Sequence, residues 1–495
     1  MAAVLTLGAA PAGAQTWSYG SAISARETVT NNVALQPTDE RRTDWITELT
    51  PSFRLSEKGA RTTFDGTVSI PVLLYAKNGG NNTAFPSANL LGDVRLIGNV
   101  FHVDGQISIA QQYLNPFGAQ PLGFDNITQN RIQTATYRIS PYVRGITPGR
   151  ISYELRNNNV WSYVSNAPLA TSNFHYTEWI GKASDVEQVY GWEAEADYND
   201  IDYYNADRVR TALARVIGVY AADPQLKLSI RGGYEENHFP QEDLRNAIYG
   251  AGFDWRPSAR GKINGYWEHR YFGSGYLLSL ENRRALSVWN VRVSRDVTTY
   301  PQALARLPAG GDVSALLNQV FLSSIPDPAA RQQAVDQFIL DHGLPPTLTS
   351  ALSLYSQQTL LQQSQSTTVG LLGARNTVLL TLFNTRTEPI AASGNPLSGI
   401  LANGTSSRQT GASLLWSHKI TPALVVDATI DRFRTVGIGS VKARSDQTSA
   451  RMVVSAPIAP RTNVFAGARY QVFSSDVSVD YNETAAFVGL THTFR

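Results

Sequence analysis

Any chemistry in this chain would start from seven histidines and no cysteine. His102, His175, His238, His269, His342, His418 and His492 stand singly, with no H-x-x-x-H or H-E-x-x-H pair to hold a metal on one helical face. His238 lies beside Glu235 and Glu236, which reads as a histidine at a loop edge. There is no G-x-S-x-G elbow. Gly232-Gly233 sits in an extended stretch with no helix after it, so it is a bend in a sheet and not a phosphate cradle. No metal, cofactor or reaction is expected, and the chain reads as a non-enzyme.

The charged residues carry a clearer signal, because they recur at every second position opposite an apolar face. Asp44, Glu48 and Arg54 do so, then Asp65, Arg138, Arg144, Glu154 and Arg156. Glu193, Glu195, Asp197, Arg231 and Glu235 follow, then Asp254, Arg256, Glu268, Arg270, Asp427 and Asp431. Charges of both signs on one inward surface hold water and set up a transverse field, which is the chemistry of passage for hydrophilic solutes. Pairing among themselves would make them a solvated wall and nothing more. Tyr142 and Tyr266 fall on the same face, where they could stack on sugar rings.

The elements that position these residues are strands of period two. Trp45, Leu49, Phe53 and Leu55 oppose the first charged group, and Phe64, Val68, Ile70, Val72 and Leu74 oppose Thr63, Asp65, Thr67 and Ser69. In the final stretch Ala486, Val488, Leu490, His492 and Phe494 form one face, and Phe487, Gly489, Thr491, Thr493 and Arg495 the other. A soluble sandwich would show the same alternation. Length decides: segments of about 12 to 15 residues exceed the globular mode of about 5–6. Tight turns such as Glu57–Ala60 and Ser258–Gly261 alternate with long polar loops such as Ala76–Thr83, Asn115–Asn130 and Glu388–Ser406. Aromatics cluster near strand ends, among them Trp45, Trp161, Trp255, Trp416 and Tyr470. The expectation is an all-β fold: one transmembrane antiparallel β-barrel of about 22 strands (range about 18–22), with a helical insertion. Hairpins near Gly181–Asp185 and Glu281–Ala285 set that range.

Lys and Arg total 42 against 40 Asp and Glu, so nothing suggests a nucleic-acid partner. The absence of cysteine suits an oxidising compartment. Residues 1–14 (MAAVLTLGAAPAGA) resemble the end of a signal peptide without its basic front, which places the true start upstream. Barrel strands are expected over 15–300 and 362–495. Between them, 301–361 turns helical: Leu316, Leu317 and Phe321 share one stripe, Val335, Phe338 and Ile339 another, and Asp327-Pro328 caps the second helix. That insert would act as gate, plug or lid. The partners expected are outer-membrane lipid and the barrel-assembly machinery, with the chain a monomer.

Several stretches resemble a family of outer-membrane proteins associated with the PEP-CTERM/exosortase system and with exopolysaccharide gene clusters. They are Leu49-Thr50-Pro51-Ser52-Phe53-Arg54-Leu55, Ile109-Ala110-Gln111-Gln112-Tyr113 and Ile139-Ser140-Pro141-Tyr142-Val143. The insert adds Val313 to Leu317 and Ile325 to Gln332, followed by Leu372-Gly373-Ala374-Arg375-Asn376. The resemblance implies a barrel tied to surface polysaccharide, serving as its exit pore with periplasmic export components as partners. The alternatives are a closed structural barrel that docks a polymer or partner, and an outer-membrane hydrolase.

Overall fold

The computed structural model describes residues 16–113, 115–165, 173–185, 189–204, 207–240, 242–305, 317–318, 321, 325, 331–332, 334–335, 359–391, 406–438 and 442–494. Leu316, Phe338, Ile339, the leader 1–14 and Arg495 lie outside them.

Every strand pairs antiparallel with its neighbour in sequence, and the first, Thr16–Thr30, also pairs with the last, Tyr481–Thr493. The register from Ala22↔Thr493 to Thr30↔Ala485 closes the sheet into a cylinder, with Thr16–Ser21 running on past the end of the last strand. Thr62–Ser69 with Val72–Tyr75, and Thr83–Ala84 with Ser87–Ile97, are each one strand broken in the middle, so the 24 segments make 22 wall strands. Pro71 and Pro86 stand at the two breaks, where proline withholds a ladder donor. The hairpins at Asp185 and Arg283 are both real reversals.

Side chains of one parity face out. Ile230, Val216 and Val488 are 73%, 59% and 58% exposed, and Trp45, Phe53, Trp179 and Met452 are also exposed. An apolar belt around a closed cylinder, with neighbouring strands joined by a continuous ladder, is a surface for lipid. The chain is therefore a transmembrane β-barrel of the outer-membrane type.

Short turns lie at the end that holds both terminal strand ends, and long connections lie at the other, which is the outer end by the usual asymmetry. The insert leaves from the outer end after Ser287–Thr298, beginning with helix Tyr300–Ala305. Tyr300 packs edge-on to Phe174, in a buried cluster with the inward-facing Ile132, Val160, Tyr176, Ile201 and Tyr203. The root of the insert thus lies on the lumen side. Farther along, Leu317 and Val335 are buried and Asn318 donates to Gln332 Oε1 at 2.6 Å. Phe321 is half-buried, and its carbonyl accepts from Ile325 N at 2.8 Å. The wall resumes at Thr359–Leu372.

Candidate functional site

The connection 115–130, which the sequence groups with the outer polar loops, turns inward and lies along the lumen wall. It starts between Phe101–Tyr113 and Arg131–Ile146 and reaches back to Arg444–Ala459, with six wall strands between. Hydrogen bonds tie it along this path: Gln447 Nε2 donates to Gln120 O at 2.6 Å and Ser475 Oγ to Phe117 O at 3.1 Å. On its own side, Arg131 donates to Gly123 O at 2.7 Å and Phe124 O at 3.1 Å. Its apolar residues Phe124 and Ile127 pack against Val33, Ile46, Leu73 and Tyr75.

The tie is centred on Arg469. Its guanidinium donates to both oxygens of Asp125 at 2.7 and 2.8 Å, to Glu483 Oε1 at 2.7 Å and to Asn126 Oδ1 at 3.3 Å. Asn126, Thr30 and Gln471 donate in turn to Glu483 at 2.9, 2.6 and 2.6 Å. All of these residues are buried. Arg469 stands six residues below the outer end of Thr462–Ser475, about 20 Å along the strand, so the clamp lies within the wall and not above the rim. Burial on its own would raise the pKa of Asp125. The Arg469 and Arg26 charges, with Arg469's hydrogen bonds, outweigh it and hold the carboxyl well below the usual carboxylate range. Arg26, 3.8 Å from Asp125, also pairs with Glu48. Arg26 and Arg451 both face the Phe487 ring, 5.8 and 5.2 Å from its centroid.

Gly123 belongs to the clamp for a steric reason. A Cβ there would fall 2.4 Å from Asp125 Oδ1 and 2.9 Å from Arg469 Nη1.

The alternation turns the sequence-predicted charges inward, and most meet a partner. Arg54 pairs with Asp65 at 3.3 Å. Arg138 and Arg156 share Asp104, and Arg156 also holds Glu154 at 3.0 Å. Arg215 joins Glu195 and Glu268 at 2.6 and 2.9 Å, and Arg231 meets the same Glu268 at 2.9 Å. Arg270 pairs with Glu235 at 2.7 Å, and Asp254 with Arg256 at 3.2 Å. Asp197 accepts from Asn199 at 2.6 Å and Asp431 from Ser413 at 2.5 Å. Asp427 is buried on the wall, while Glu193 and Arg144 stand on the same inward face. Glu235 and Glu268 lie covered beneath their arginines and are not wetted as expected, and Asp44 departs further. It is fully buried and accepts from Trp45 N, Lys77 N and Asn78 Nδ2 at 2.8, 2.9 and 2.7 Å, so it ties the 76–82 loop and does not line water. Tyr142 is not free to stack on a sugar either: His102 lies on it at 4.7 Å and Arg156 at 3.9 Å. Arg231 likewise covers Tyr266 at 4.2 Å.

Sequence reasoning missed Arg26, Asp104, Arg215, Arg451, Arg469 and Glu483. The same alternation would have found them; Arg469, for example, stands between the outward Ala468 and Tyr470. Asp125 and Asn126 carry no such signal, because a loop has no period. Among the described residues, no group of His, Cys, Asp and Glu could hold a metal.

No family model and no curated protein matches this chain. Among solved structures, it is similar to the siderophore receptor PirA from Pseudomonas aeruginosa, at 9% identity and TM-score 0.44 over 96% of this chain and 80% of that one. It is also similar to Pseudomonas aeruginosa OccK3 (OpdO), at 9% identity and TM-score 0.35 over 96% of both chains. A loop L8 deletion mutant of OmpT, an outer membrane protein of Vibrio cholerae, gives 9% identity and TM-score 0.33 over 97% of this chain and 100% of that one. The assignment of the fold rests on this chain's own closed ladder and lipid-facing belt.

Proposed function

We propose that this chain is an outer-membrane channel for hydrophilic solutes, with the clamped 115–130 loop as its constriction. The observation that carries this reading is the Arg469–Asp125–Glu483 clamp, which holds a loop against the inner wall of a cylinder whose inward face is polar. A loop fixed inside a water-holding barrel limits what passes without sealing the path by a domain of its own. A polysaccharide strand, the cargo implied by the family resemblance, is the more specific form of this reading. The Ser, Thr and Gln side chains facing inward on strands 359–459 support it, since they can exchange hydrogen bonds with sugar hydroxyls. A polymer would also need the loop or the insert to give way.

Single-channel conductance of the purified chain in a planar bilayer tests the proposal. We expect discrete openings that widen when 115–130 is replaced by a short turn. A chain that inserts and folds yet conducts in neither form is a closed structural barrel, and the proposal fails. Neutral oligosaccharides added to one side should block the current transiently if sugars are cargo; block by small ions' competitors alone would restrict the reading to small solutes.

A further inference from the structure

The outward face carries polar residues where lipid is expected, and they fall in one line. Following the ladder pairing from strand to strand, Arg295 is opposite Gln363, Gln363 opposite Arg386, Arg386 opposite Arg408, Arg408 opposite Val436, and Val436 opposite Arg444. All share parity with exposed outward residues of their own strands, such as Trp289, Leu371, Leu382, Trp416, Ile430 and Met452. The row crosses six adjacent strands. Arg408 stands eight residues outward from Trp416, about 27 Å along a strand whose tilt leaves roughly 20 Å of height, close to the ~25 Å apolar band. The row therefore lies at the outer margin of that band, where hydrocarbon gives way to headgroups.

Its charges do not balance. Arg386 pairs with Glu388, and Asp446 takes both Arg444 and Arg434. Arg408 has no acidic partner among the described residues, and its cross-strand neighbour is Arg386. Directly opposed like charges are destabilising unless an anion lies between them. Two further observations point to a ligand. Arg295, Leu361, Gln363, Arg386 and Glu388 line a cleft between these strands. The Nε of Arg386 is buried with no hydrogen-bond partner.

We propose that this row binds the phosphate-bearing headgroup of an outer-leaflet membrane lipid, with Arg386 and Arg408 on the phosphate and Gln363 at its flank, while Arg295, which donates to Ser274 O and Phe272 O, only walls the cleft. Guanidinium groups suit a phosphate because their paired donors match two of its oxygens. The proposal is independent of what passes through the lumen.

The test is native mass spectrometry of the full chain, released from detergent after incubation with diphosphorylated lipid A, its phosphate-free form, or inorganic phosphate. Folding of every variant is checked by heat-modifiable mobility. The wild type should retain the diphosphorylated lipid and not the phosphate-free one. The Arg386→Gln/Arg408→Gln double variant should retain it at least about tenfold less well, as expected for lost charge-assisted hydrogen bonds. Arg386→Lys/Arg408→Lys should fall between. Equal retention by the variants, or equal retention of the phosphate-free lipid, overturns the proposal. So does competition by inorganic phosphate at the same concentration as the lipid, which would make this a site for free anions. If the glutamine variant does not fold, the lysine variant and the pair of lipids decide.

Discussion

Two arcs of the inner wall differ in chemistry. From Arg131–Ile146 to Ser287–Thr298 the inward face is a chain of ion pairs, in which Glu195, Arg215, Glu268 and Arg231 are continuous neighbours. From Thr359–Leu372 to Arg444–Ala459 the inward face is largely hydroxyl and amide. Thr368 meets Thr381 at 3.3 Å, Thr387 meets Ser407 at 2.9 Å, and Gln409 meets Thr435 at 3.5 Å. The first arc supplies a field and is stiffened where its charges hold one another, as in the Glu195–Arg215–Glu268–Arg231 chain. The second supplies exchangeable hydrogen bonds and little field. Solutes between them meet dense fixed charge on one side and, on the other, mostly neutral donors and acceptors around Asp427, Asp431 and Arg451. The clamp beside the closing strands uses the chemistry of the first arc, buried more deeply, to hold a loop instead of a wall.

The largest effect is expected from Arg469→Met, which leaves Asp125 and Glu483 buried without their cation. Breaking such a pair costs about 3–5 kcal/mol. Thermal unfolding should fall accordingly, and the conductance should rise as the loop comes free. A normal melting temperature with unchanged conductance would mean that the clamp does not hold the loop. In the charged arc, Glu268→Gln removes the carboxylate shared by Arg215 and Arg231 and should cost about 1–3 kcal/mol. The lumen should become more anion-selective by reversal potential, and an unchanged potential would place Glu268 away from the ion path. Gly123→Ala pushes against Asp125 and Arg469, with an expected loss of about 1 kcal/mol and a small rise in conductance noise. In the hydroxyl arc, Ser413→Ala removes one hydrogen bond to Asp431 and should cost no more than about 1 kcal/mol, with selectivity unchanged. A loss equal to that of Glu268→Gln would erase the distinction between the arcs.

The pH dependence follows from the sign of one shift. Asp125 has a lower pKa folded than unfolded, so its contribution is complete above the unfolded value of about 4. It is lost only as pH falls below that, toward the folded value. Conductance governed by the loop should therefore be constant between about pH 5 and 8. A transition within that range would assign the gate to another group.

Much of the wall is legible in the sequence. Alternation in Asp44–Lys58 and Tyr481–Thr493 separates a lipid face from a wet one, because a strand sends successive side chains to opposite sides. Chain-order pairing of long strands also leaves closure as the way to satisfy both edges. Period and turn chemistry are local, so the sequence alone determined the barrel, its approximate strand number and the inward parity of the charges. Only the tertiary structure decided that Asp125 meets Arg469, 344 positions away, or that Arg386 stands opposite Arg408 on the outer surface. Both depend on register around a closed cylinder and on the inward path of an aperiodic loop, and neither leaves a mark in the order of residues.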